Sequence, residues 1–275
     1  MSDQGDPLAR IAHALERLVP GSATPADWHA STAYVWNGSA ARGVARIEAP
    51  TLGHLRGIDR QKAEVVGNVI RLAAGHAAHD MLLWGARGMG KSALIRASVA
   101  AAQVETPGRI ALVQVAQDAL SGIPTLFAQL SGLDRRFLVY IDDLGFEEGD
   151  SMGPRLLRSW LEGGVEARPA NVRLAVTSNH RAIVSRAMSE QDDPINPRDV
   201  VDDRLALADR FGLSIGFHNC SQDDYLAIIA GYAQSLGLDW QEADALEWSR
   251  RRGARSGRVA WHYVTELAGR SGKSV

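Results

Sequence analysis

Cysteine is almost missing from this chain: Cys220 stands alone among 275 residues. One thiol can form neither an internal disulfide nor a cysteine metal cluster, which excludes a stapled secreted scaffold and a zinc ribbon. An excess of one charge is missing too. The 30 Lys and Arg stand against 32 Asp and Glu, for a net charge of −2. That balance argues against a protein that coats nucleic acid by bulk charge. No apolar run reaches the roughly 18 residues that a membrane-spanning helix needs, so no membrane partner is expected. The start, Met1-Ser2-Asp3-Gln4-Gly5-Asp6, lacks the basic residues and apolar stretch of a signal peptide. A soluble cytoplasmic protein is expected. The eight histidines show no metal-ligand spacing.

What is present is ordinary globular material. Hydrophobic residues make up 45% and charged residues 23%, enough for a sizeable core and incompatible with wholesale disorder. Leu8, Ile11, Leu15 and Leu18 fall at helical spacing within residues 7–19. Residues 20–54 are rich in Pro, Gly, Ser, Thr and Ala, with Trp28, Tyr34 and Trp36 among them. They read as an irregular or weakly stranded arm anchored by aromatics. Helical periodicity returns over Asp59–Leu72, with Asp59 as the expected N-cap.

Short apolar bursts then alternate with helical stretches. The bursts are Met81–Trp84, Ile110–Val115, Phe137–Ile141, Leu174–Thr177 and Leu213–Phe217. Continuous apolar runs of this length suit strands buried on both faces. The helical stretches are Lys91–Ala102, Ile123–Leu130, Pro154–Leu161 and about Ala182–Ser189. Such alternation predicts an α/β fold, a parallel sheet with helices on both faces. From Ser221 the pattern is helical only, broken at Gly237 and Gly253. The expected division is an arm over 1–54, a core over 55–219 and a small helical lid over 220–275. Glu190–Asp203, with two prolines and five Asp, is an acidic loop.

Three motifs carry chemistry. Gly85-Ala86-Arg87-Gly88-Met89-Gly90-Lys91-Ser92 fits G-x-x-x-x-G-K-[ST], and it sits between an expected strand and an expected helix, as the motif requires. Its glycines let backbone N–H groups converge on phosphates at a helix N-terminus. Lys91 would reach the β- and γ-phosphates, and Ser92 would hold Mg²⁺. Phe137–Ile141 ends in two carboxylates. Asp142 is the candidate Mg²⁺ ligand, and Asp143 the candidate for orienting or deprotonating an attacking water. Leu174–Ser178 ends in Asn179, where ligands of such sheets sit; Asn179 would help hold that water.

Together these motifs resemble the AAA+ ATPases, from about Leu55 to Gly269. In detail, Leu82–Ser92 with Asp142-Asp143-Leu144 and Asp209-Arg210-Phe211-Gly212-Leu213 looks like a bacterial AAA+ group catalogued only as a domain of unknown function. The resemblance implies an αβα core with a five-stranded parallel sheet, order 5-1-4-3-2, and ATP with Mg²⁺ bound between core and lid. Leu55-Arg56-Gly57-Ile58-Asp59 corresponds to the segment against the adenine, which assigns Ile58 to nucleotide binding. Asn179 corresponds to sensor 1. Arg210 and Arg204 compete for the arginine finger, which acts on the active site of a neighbouring protomer. Arg258 falls where sensor 2 belongs. The usual Asp-Glu pair is Asp142-Asp143 here, one methylene shorter, so hydrolysis is expected to be slow; Glu147 and Glu148 lie nearby as substitutes.

The expected function is hydrolysis of ATP to ADP and phosphate by a homo-oligomer with shared active sites, used to remodel or assemble a protein client that the sequence does not name. The rivals are a nucleotide-responsive binding module with little hydrolysis and a P-loop kinase. The basic run Arg250, Arg251, Arg252, Arg255 and Arg258 could meet nucleic-acid phosphates. No recognised nucleic-acid module accompanies it, so nucleic acid ranks below a protein client.

Overall fold

The computed structural model describes residues 26–145, 152–162, 168–179 and 207–275. The expected helix at 7–19, Glu147, Glu148, His180, the helix near 182–189, the acidic loop and Arg204 all lie outside these residues.

Seven strands form one sheet: β1 (Ala33–Trp36), β2 (Ala41–Val44), β3 (Met81–Gly85), β4 (Ile110–Val115), β5 (Arg136–Ile141), β6 (Val172–Ser178) and β7 (Leu213–Phe217). Their order is β2-β1-β4-β5-β6-β3-β7. All neighbours run parallel except β1 and β2. The five expected strands are β3 to β7, and from β7 to β4 they stand in the expected order 5-1-4-3-2.

The expected strand count is too low. The arm adds a hairpin to the free edge of β4, with Ala33 opposite Leu112 and Trp36 opposite Val115. Two aromatic residues drive this addition, since Tyr34 and Trp36 are both fully buried. The hairpin turn is closed by Asn37, whose side-chain oxygen accepts from the N–H groups of Ser39 and Ala40 at 3.1 and 2.8 Å. Runs of four residues in a Gly- and Ser-rich stretch suggest a weakly stranded arm but carry too little pattern to place its strands in the sheet.

Helices cover both faces. On one side lie α1 (Asp59–Ala73) and α2 (Lys91–Glu105), and on the other α3 (Ile123–Leu130) and α4 (Met152–Glu162). Successive strand residues feed opposite cores, as the pleat demands. Leu138 and Tyr140 join the α1–α2 side, whereas Phe137, Val139 and Ile141 join the α3–α4 side. Asp59 is not the N-cap; Ile58 occupies that position without a side-chain cap bond. Asp59 instead opens the first turn, where its charge suits the helix dipole and meets Lys62 at 2.7 Å.

Three helices follow β7: α5 (Gln222–Leu236), α6 (Glu242–Arg251) and α7 (Gly257–Arg270). Gly237 ends α5 in the left-handed conformation at φ 58°. Tyr225, Ile229 and Val264 from these helices share the core cluster of α1 and α2, so this bundle leans on the sheet's α1–α2 side. Cys220, just before α5, is buried, and burial pushes its thiol up to about 11. Among the described residues no helix is long and apolar enough to cross a membrane.

Candidate nucleotide site

Parallel pairing brings the carboxyl ends of β3, β5 and β6 side by side. Each strand ends in one of the three motifs, so all three open into the same cleft of about 920 Å³. Small-molecule sites run to roughly 300–1,000 Å³, so a nucleotide fits this one.

The loop after β3 needs its glycines. Gly85 has φ 121°, and a Cβ there would lie 2.1 Å from the Phe217 carbonyl oxygen. Gly88 has φ 75° and sits against the start of α7, where a Cβ would meet the Ser256 hydroxyl at 2.9 Å. Met89 is buried with Leu55 and Ile58, while Ala86, Arg87 and Gly90 complete the turn into α2. Lys91 is only 6% exposed. Its Nζ donates to the carbonyls of Gly85 and Ala86 at 2.7 and 2.9 Å and to Asn179 Oδ1 at 3.4 Å. Burial lowers its pKa, against the pull of Asp143 and Asp142.

Asp142 accepts from Ser92 Oγ and from Thr177 Oγ1, both at 2.7 Å. Burial pushes its carboxyl up, but the hydroxyls of Tyr140, Ser92 and Thr177, with Arg96, outweigh that and hold it below the usual value. Asp142 is therefore an anion beside a hydroxyl. Among the described residues no cluster of three acids, histidines or cysteines could cage a metal. Mg²⁺ does not need such a cage. It takes one or two carboxylates and completes its shell with phosphates and water, and the pair Ser92 and Asp142 fits that demand.

Asp143 lies in the left-handed region at φ 51°. Its N–H donates to Thr177 Oγ1 at 2.8 Å, and its carboxylate accepts from Asn179 Nδ2. Asn179 thus joins Asp143 to Lys91. From the first turn of α7, Arg258 lines the cleft, and its N–H donates to the Gly88 carbonyl at 3.2 Å. Ile58, buried, lines the cleft beside Gly90. Arg210 is not among the cleft residues. It follows the helical residues 207–209, three residues before β7, at the amino end of that strand and of its neighbour β3.

Several residues in the cleft or beside it carry no readable signal in the sequence. Thr177 looks like one more β-branched strand residue, yet it bonds both acids. Gln117 looks like a loop residue, yet its amide meets the carbonyls of Asp142 and Asp143 at 3.0 and 2.8 Å. His54 stacks on Tyr232 with ring centres 4.7 Å apart, and Tyr232 tilts against Trp261 at 4.9 Å. All three line the cleft near Ile58, and they come from segments far apart in the chain.

Comparisons with known proteins agree with this geometry. The structure of a Thermotoga maritima RuvB point variant matches with a TM-score of 0.56 at 15% identity, covering 81% of this chain and 66% of that one. A second RuvB structure from the same organism, described as a Holliday junction branch migration motor, gives 0.52 at 16% over 81% and 66%. The Aeropyrum pernix ORC2 protein, solved in ADPNP–ADP complexes, gives 0.54 at 14% over 82% and 66%. The chain therefore spans slightly less than two thirds of these proteins, and at such identities the likeness speaks for the fold. No curated protein matches in sequence. A family model described as Protein of unknown function (DUF815) matches residues 29–271, nearly the whole described chain. That match shows that the chain belongs to the DUF815 family, and its α/β fold around Gly85–Ser92 resembles that of the AAA+ ATPases.

Proposed function

We propose that the cleft binds ATP with Mg²⁺ and hydrolyses it to ADP and phosphate, and that a homo-oligomer of this chain uses the cycle to remodel or assemble a protein partner in the cytoplasm. One observation carries the reading: Lys91, Ser92, Asp142, Asp143 and Asn179 join, through Thr177, in a single hydrogen-bonded network at the carboxyl edge of the sheet. In this reading residues 55–219 are the nucleotide-binding core, 220–275 the lid and 1–54 the arm.

Lys91 exchanges its loop carbonyls for the β- and γ-phosphate oxygens, while the N–H groups of residues 85–92 cradle the phosphates. Ser92 and Asp142 would hold Mg²⁺, which when bound would neutralise charge that develops on the phosphates. Asp143 orients a water for in-line attack and accepts its proton, and Asn179 fixes the carboxylate that does so. Arg258 contacts the phosphates from the lid. Arg210 reaches the site of a neighbouring protomer, because it stands apart from its own. Ile58, with Leu55, flanks the adenine.

A nucleotide-responsive module with little hydrolysis is the second reading. The short Asp143 side chain, already engaged by Asn179, favours it. Phosphate release against time separates the two. Mg²⁺-dependent release that falls roughly 100-fold in Asp143→Asn, with ATP binding kept, supports hydrolysis. ATP binding without release above the solvent rate supports the module.

A further inference from the structure

We propose that Gln117 is a positioning residue for hydrolysis, and that the β1–β2 hairpin governs it by setting the segment from which Gln117 reaches the Asp142–Asp143 turn. The proposal rests on the ATPase reading.

Asp143 is the one non-glycine residue with a positive φ among those described. An L residue stays in that region only when its surroundings hold it there. Two peptide groups flank the Asp143 Cα, and each has a donor and an acceptor. Thr177 takes both donors: Asp143 N–H meets its Oγ1 at 2.8 Å, and Leu144 N–H meets its carbonyl at 2.7 Å. Gln117 takes both acceptors, its single amide nitrogen donating to the carbonyls of Asp142 at 3.0 Å and Asp143 at 2.8 Å. All four backbone groups around Asp143 are thus pinned from two sides. The β6 side is a rigid central strand. The Gln117 side is exposed and belongs to the turn Gln117–Gly122 after β4.

That turn is set by the hairpin. Ala116 N–H donates to the Trp36 carbonyl at 3.4 Å. Gly122 lies so close to the hairpin tip that a Cβ on it would stand 2.1 Å from the Gly38 carbonyl oxygen. Ala119 packs on the same glycine, its Cβ 3.6 Å from where a Gly38 Cβ would be. A shift of the hairpin therefore carries to Gln117, and from there to the direction of the Asp143 carboxylate. Neither the hairpin tip nor Gln117 lines the cleft, so the effect falls on the chemical step and leaves nucleotide affinity alone. Misplacing a reacting group by about 1 Å can cost roughly 100-fold in rate.

Gln117→Glu keeps the shape and removes the donors, whereas Gln117→Lys keeps donors of similar reach. We expect kcat for phosphate release to fall between ten- and 100-fold in Gln117→Glu and to recover at least partly in Gln117→Lys. KM and the ATP-induced rise in Tm should stay at wild-type values in both. Amide exchange at Asp143 and Leu144 should quicken in Gln117→Glu without nucleotide. Gly122→Ala, which pushes the hairpin off the turn, should lower kcat in the same way. A wild-type kcat in Gln117→Glu, or loss of the ATP-induced shift along with kcat, overturns the proposal while the ATPase reading stands. A wild-type chain that shows neither an ATP-induced shift nor phosphate release overturns both.

Discussion

Each end of the sheet holds an aspartate withdrawn from solvent, Asp80 buried and Asp142 half-buried, and the two are used in opposite ways. At the amino end, Asp80 is 7% exposed; its Oδ1 accepts the Leu174 N–H at 2.7 Å, and its Oδ2 meets Arg168 at 2.8 Å. Burial pushes its carboxyl up, against the pull of Arg168, the Leu174 N–H and Arg173. Nearby polar groups are spent on backbone. Asn171 donates to the carbonyls of Leu130, Leu133 and Arg135, and Arg135 donates to those of Trp28 and Ile110. At the carboxyl end, Asp142 is held low by hydroxyl donors and opens into the large cleft. A buried charge is therefore no mark of a site in itself. The carboxyl end is set apart by several polar side chains that converge on shared space, while those at the amino end satisfy the chain's own backbone.

The largest expected effect crosses this division. Arg210 stands at the amino end, yet the shared-site reading gives it a role in a neighbour's cleft. Arg210→Ala should lose about 10³-fold or more in phosphate release while keeping ATP affinity, because a trans arginine acts mainly in the transition state. Mixing it with Lys91→Ala should restore part of the activity, since mixed assemblies contain some complete sites. A mixture that stays inactive beside an active dilute wild-type monomer would make Arg210 a structural residue like its neighbours.

Next in size is Asp80→Ala. Removing one partner of a buried pair costs about 3–5 kcal/mol; Arg168 keeps some exposure, so about 3 kcal/mol is expected in urea unfolding. ATP affinity of the folded fraction should be unchanged. An Asp80→Ala chain that is fully stable but blind to ATP would reverse the roles given to the two ends.

The smallest effect lies in pH dependence, where the two acids should show opposite signs. Asp80 has a raised folded pKa, so its folded form holds the proton more tightly than the unfolded chain does. Relative to Asp80→Asn, wild type should lose stability as pH rises from the ordinary carboxylate value to the raised folded value, and stay level above it. Asp142 has a lowered folded pKa. Relative to Asp142→Asn, wild type should lose stability as pH falls from the ordinary value through the lowered one. Melting temperatures of the three proteins across the acid range check both slopes, and parallel slopes would mean that the two environments are alike.

The carboxyl end is far more legible in the sequence than the amino end or the arm. Gly85–Ser92 is a contiguous motif, and Asp142, Asp143 and Asn179 each close an apolar run, so strand ends and chemistry announce each other. The parallel sheet follows from the alternation of strands and helices, whereas its order for β3 to β7 is what the AAA+ resemblance implies. The hairpin β1–β2 is legible only as a weakly stranded arm with aromatic anchors; its place beside β4 stays hidden because its strands have four residues each. Gln117 and the stack of His54, Tyr232 and Trp261 stay hidden for another reason. Their partners lie 25 or more residues away, and a contact of that kind exists only after folding brings the segments together.

The central claim, that the carboxyl end is an ATP site, is tested most directly by melting wild type and Lys91→Ala with and without Mg-ATP. Lys91 is the one buried ammonium in the loop, and binding at about 100 times Kd adds roughly 2.7 kcal/mol to the folded state. Wild type should melt at a clearly higher temperature with Mg-ATP, and Lys91→Ala should show little or no shift. An equal ATP-induced shift in the two proteins would contradict the assignment of the cleft.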